Sequence, residues 1–125
     1  MKFSPSLSIT RSLLFTYCIE NIDDVEREAF IVSKNINDDK ELSELFDKLT
    51  KPVFLSYKID ERQWHIDTLQ HFLKVSDSFD SVFYLFDTYF DDEIIDQRQF
   101  MRILLECLTR YHTEAIQNES KNQGY

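Results

Sequence analysis

A single glycine, at position 124, and two prolines, Pro5 and Pro52, are all this chain holds of the residues that tight turns require. Two-residue hairpins need backbone with positive φ, which glycine supplies at least cost, so a strand-rich sandwich or barrel is disfavoured and helices are expected. The apolar content, 42%, with eleven Phe and six Tyr, is too high for a disordered chain. A length of 125 residues suits one core, so residues 1–125 are expected to form a single domain without disulfide or metal support.

Apolar spacing predicts an all-α bundle of about six helices. Ile22, Val25, Ala29, Val32 and Ile36 fall on one helical face, and Leu42, Leu45, Phe46 and Leu49 on another. Asp38 with Glu41, Asp60 with Gln63 and Asp96 with Gln99 have the spacing of capping boxes, in which a side chain satisfies the free N–H groups of a helix start. The second of these precedes Ile66, Leu69 and Leu73. The third precedes the longest periodic run, Met101, Leu104, Leu105, Leu108, Tyr111 and Ala115. Ser4-Pro5 suits a helix start with proline in the first turn. Residues 53–59 and 82–90 are rich enough in β-branched and aromatic side chains to allow short strands, the first giving an α+β alternative. The polar tail 117–125 is expected to fray.

No apolar run is long enough to span a bilayer, and Cys18-Ile19-Glu20 is a poor cleavage site after Leu13-Leu14-Phe15. A soluble, cytoplasmic protein is expected, with no membrane partner. Cys18 and Cys107 are expected as buried free thiols, with one bridge between them as the alternative.

With a net charge of −9 the chain would repel phosphate backbones, so direct nucleic-acid binding is disfavoured and a basic protein partner is expected. Between Lys74 and Arg98 lie seven acidic residues, Asp77, Asp80, Asp87, Asp91, Asp92, Glu93 and Asp96, with no Lys or Arg. Six aromatics are interspersed. Phe79, Phe83 and Phe86 suit a core face, whereas Tyr84 and Tyr89 fall beside the carboxylates. Tyrosine offers large contact area at low entropic cost and carboxylates attract Lys and Arg, so the candidate partner-binding residues are Tyr84, Asp87, Tyr89, Asp91, Asp92 and Glu93. The competing reading is a solvated loop between helices. A second acidic region, Glu20 to Asp47, is interleaved with Arg27, Lys34 and Lys40, and its carboxylates suit helix starts.

Catalytic signatures are absent from the sequence. One glycine excludes nucleophile elbows, phosphate loops and dinucleotide fingerprints, so no catalytic residue, cofactor or metal is assigned and a non-enzymatic role is expected. Residues 86–100 resemble an EF-hand superficially, but Asp92 replaces the turn glycine and Arg98 or Gln99 the bidentate glutamate. His65, Asp67 and His71 are kept as the alternative of a small helical enzyme or metal protein, though three or four converging ligands are needed. Trp64 is either a core residue or a partly exposed anchor.

Size, acidity and the segment Asp87-Thr88-Tyr89-Phe90-Asp91-Asp92-Glu93 resemble bacterial toxin-immunity proteins of the contact-dependent growth inhibition or colicin kind. The resemblance implies stoichiometric neutralisation of a cognate toxin domain, often a cationic nuclease, by an acidic surface. A phage-type inhibitor or DNA mimic acting on a host nucleic-acid-binding protein is the alternative. The oligomeric state is left open, since an exposed aromatic patch also serves self-association.

Overall fold

A computed structural model describes residues 4–17, 25–75, 79 and 96–123. All regular structure among them is helical, and no strand occurs. The helices are α1 (Leu7–Leu13), α2 (Val25–Val32), α3 (Asp39–Leu45), α4 (Lys51–Leu55), α5 (Ile59–Val75) and α6 (Gln97–Gln123). A 3₁₀ turn, Leu14–Tyr17, follows α1, and a π turn, Phe46–Thr50, joins α3 to α4 without a break. Residues 53–59, the candidate strand, are instead the end of α4, a turn and the start of α5; residues 82–90 lie outside the described residues. Pro52 stands just after the π turn inside this continuous rod, and having no N–H it cannot donate to the preceding turn.

The π turn follows from the spacing of the large inward side chains. Leu42, Phe46, Thr50 and Phe54 are all buried and stand four residues apart. A regular α-helix advances about 40° beyond a full turn over four residues, so three such steps would rotate Phe54 far from Leu42. The wider winding of a π turn holds all four on one side. Phe46 then meets Phe100 edge to face at 5.4 Å and Tyr17 at 6.2 Å, tying three segments together. The Tyr17 hydroxyl shares a 2.6 Å hydrogen bond with that of Thr50, which satisfies both polar groups inside the core.

The most extensive seam is between α5 and α6, with α1 laid against α5 and the α3–α4 rod against α6. Phe100, Met101, Leu104, Cys107, Leu108 and Tyr111 of α6 are buried at the spacing of one helical face. Cys107 is free, as expected; Cys18 lies outside the described residues. The segment before α1 is held by Trp64, whose Nε1 donates to the Ser4 carbonyl at 2.8 Å, and by the Ser6 N–H, which donates to Thr68 Oγ1 at 3.3 Å.

Two of the three expected sites form the aspartate half of a capping box, and at the first the box does not close, since Glu41 Oε1 accepts from the Asn35 N–H and the Asp38 N–H donates to the Asn35 carbonyl. Asp38 Oδ2 and Asp96 Oδ1 each accept from the backbone N–H three residues on, Glu41 and Gln99, at 3.0 Å. Asp60 and Gln63 do not cap α5: that helix begins at Ile59, and Asp60 stands inside its first turn, where the Lys58 carbonyl already accepts from Arg62. Likewise Ser4-Pro5 precedes the start of α1, whose N-cap is Ser6. The face proposed for α2 is also revised. Ala29 and Val32 are exposed, whereas Ile31 is fully buried, because the helix ends at Val32 and a turn, not continued helix, carries Ile36 inward.

Replacing Asp38 by Ala is expected to destabilise the fold by about 1 kcal/mol, through loss of the cap at Glu41. Denaturant titration measures it. A variant as stable as the native chain would mean that water replaces the cap without cost.

Candidate functional site

Tyr84, Asp87, Tyr89, Asp91, Asp92 and Glu93 lie outside the described residues, as do the EF-hand-like positions before Asp96. The residues that flank this segment are described. Phe79 is fully buried, and its N–H donates to Gln97 Oε1 at 3.0 Å. Arg98 Nη2 donates to the carbonyl of Leu73 near the end of α5. The two chain ends on either side of residues 80–95 are therefore bound to each other. Gln99 Nε2 donates to Asp39 Oδ1, which brings the start of α3 to the same corner. Asp38, Asp39 and Asp96 stand there as exposed carboxylates. Asp38 and Asp39 belong to the region whose charge the sequence assigns to helix starts. Their place beside Asp96 was missed because it depends on a contact spanning sixty residues.

The charge of the molecule divides unevenly. Residues 18–24 and 76–95 hold Glu20, Asp23, Asp24, Asp77, Asp80, Asp87, Asp91, Asp92 and Glu93 and no Lys or Arg, whereas the remaining residues hold fourteen acidic and fourteen basic side chains. The near-neutral helices balance their acids with nearby bases: Lys34 with Glu44 at 3.6 Å, Lys51 with Glu114 at 3.9 Å, and Arg110 with Asp47.

The residues held as a metal alternative do not come together. His65 is buried, with its ring stacked on Tyr57 at 5.1 Å and edge-on to Phe54 at 6.0 Å. Asp67 is exposed and accepts from Gln63 Nε2 at 2.9 Å, while His71 is exposed beside Phe72. Among the described residues no group of three or more His, Cys, Asp or Glu converges. Burial pushes the Cys107 thiol up, away from the thiolate that a nucleophile needs. Burial also raises Tyr17, despite the opposing hydrogen bond from Thr50.

A second feature is a groove of about 350 Å³ where α4, α5 and α6 meet, lined by Lys51, Leu55, Arg62, Tyr111, Glu114 and Ala115 among others. Arg62 is only 3% exposed. The Lys51 ammonium stands 5.5 Å from the centre of the Tyr111 ring, and the Tyr111 hydroxyl donates to Asp47. Sequence reasoning did not find this groove, since its lining is drawn from three helices and Arg62 has no distinguishing neighbours in sequence.

No helix among the described residues is long and apolar enough to cross a membrane. No protein family, curated protein or solved structure matches the chain.

Proposed function

We propose that the protein is a cytoplasmic immunity-type inhibitor that binds a basic toxin domain, of the nuclease kind, through the acidic segment between α5 and α6. The observation that carries this reading is the run between Lys74 and Arg98, where seven acidic residues and six aromatics stand without one Lys or Arg while the rest of the chain mixes both signs. Concentrated charge of one sign steers a basic partner and speeds association. The Phe79–Gln97 and Arg98–Leu73 links support the same reading, because they fix both flanks of the segment and lower the entropy lost on binding.

The partner to test is the toxic domain encoded by the gene directly upstream, in the order that immunity genes follow. Co-expression is expected to restore growth. Replacing Asp91, Asp92 and Glu93 by Asn, Asn and Gln is expected to slow association by about tenfold and to flatten its salt dependence. Unchanged kinetics in that variant would remove the segment from the interface, and the lack of any toxic neighbour would remove the immunity reading.

A further inference from the structure

We infer that the outward face of α6 is the contact between two copies of this chain, packed antiparallel about a twofold axis level with Leu108. The surface is separate from the acidic corner, and the inference does not depend on the immunity reading. Arg102, Glu106, Arg110 and Glu114 form one row along α6 at four-residue spacing, and all four are exposed. A parallel row holds the half-buried Leu105 and the exposed Thr109 and Thr113. An open groove of about 520 Å³ runs between the rows, with Gln70 of α5 at one side. Its lining is drawn almost wholly from one helix, a shape that suits a second helix better than a compact ligand.

The order of the charges selects the occupant. The first row alternates in sign, so an antiparallel copy sets Glu106 against Arg110 and Arg102 against Glu114, each pair twice. Moving the axis to the level of Glu106 or of Arg110 would set like charge against like along the row, which excludes those registers. In the favoured register each Leu105 comes level with the gap between Thr109 and Thr113 of the other copy, where a knob finds its hole. The pairing rests on Arg102 and Glu106, whose side chains no ion pair or hydrogen bond engages among the described residues. Arginine four residues before glutamate is the poorer order for pairing within a helix, and Arg110, placed in the better order, turns to Asp47 instead. The Arg110 guanidinium is half exposed and has five N–H donors, enough for Asp47 and a second carboxylate together. Between Arg102 and Glu114 the helix rises only about 18 Å, too little for the roughly 1,200 Å² of a stable assembly, so the dimer is weak and reversible.

Sedimentation equilibrium of the full chain, from about 10 µM to about 1 mM, tests the inference in the range where a contact this small associates. A monomer–dimer equilibrium is expected, weakened severalfold by salt, with the Leu105 methyl resonances shifting on dilution. Glu106→Arg, which meets Arg110 with a like charge, and Thr109→Arg, which fills the groove, are each expected to weaken association about tenfold. Arg102→Glu is expected to weaken it about fivefold, and adding Glu114→Arg to restore it, because the two positions then attract with their signs exchanged. The substituted positions are exposed, so the variants keep the native helix content, which circular dichroism checks. The inference is overturned by a chain that stays monomeric throughout, which leaves the groove to a partner of another sequence. It is equally overturned by a dimer indifferent to Glu106→Arg and Thr109→Arg, or by a double exchange that restores nothing.

Discussion

Phe46→Ala is expected to lose about 3–5 kcal/mol of stability, a large share of the roughly 5–15 kcal/mol that holds a domain of this size folded. The side chain is fully buried and contacts the rings of Tyr17 and Phe100. Its removal leaves a cavity where the 3₁₀ turn after α1, the π turn and the start of α6 meet. Those three neighbours are held by other contacts, so the void cannot collapse fully. The π turn adds a second consequence. It exists to keep Phe46, Thr50 and Phe54 on one side, so without the ring the segment from Asp39 to Leu55 loses part of the reason for its wide winding. Phe46→Leu, which keeps most of the volume, is expected to cost about 1–2 kcal/mol. Urea unfolding reads both. A loss below about 1 kcal/mol for the alanine variant would show that the three segments are not joined through this ring.

What sequence could and could not convey is clearest along α5 and α6. In α6 the cap residue and the apolar spacing agree, so Asp96, Gln99 and the buried face from Met101 to Tyr111 were all legible, although the helix runs on to Gln123 through most of the tail expected to fray. In α5 the same reasoning misplaced the start, because Asp60 and Gln63 imitate a cap while standing inside a first turn, where acidic side chains are favoured anyway. It also passed over Arg62, His65 and Thr68, which are buried alongside Ile66 and Leu69 on the inward face. Helical spacing marks those positions, but their polarity hides them from an apolar count. The π turn left as its local trace only the four-residue spacing of Leu42, Phe46, Thr50 and Phe54, which an apolar count overlooks because Thr50 is polar. For function, the acidic excess between Lys74 and Arg98 was readable as composition. The ion pairs that balance the remaining charge join different segments, Lys34 with Glu44, Lys51 with Glu114 and Arg110 with Asp47, and only the fold assembles the groove beside Arg62.

Lowering the pH from 6.5 to 5 is expected to cost the protein about 1.5 kcal/mol through His65 alone. Burial between Tyr57 and Phe54 pushes its imidazole down to about 4, from an ordinary value near 6.5. Nδ1 is buried without a hydrogen-bond partner among the described residues, so no neighbouring acceptor stabilises the cation. The unfolded chain therefore takes up a proton as pH falls through 6.5, whereas the folded chain stays neutral until about 4. Stability from this source is complete above 6.5 and drains away below it, the opposite of a histidine that gains an anionic partner. Ordinary carboxylates titrate mostly below this window, which leaves the decline between 6.5 and 5 attributable to imidazole. His65→Phe should flatten the slope there and keep the neutral-pH stability, because a benzene ring fills the same aromatic cleft with no nitrogen to leave unpaired. The imidazole C–H resonance of His65 should likewise report a midpoint near 4 in the folded protein. A midpoint near 6.5, or an unaltered slope in the phenylalanine variant, would mean that water reaches the ring through the corner between α4 and α5.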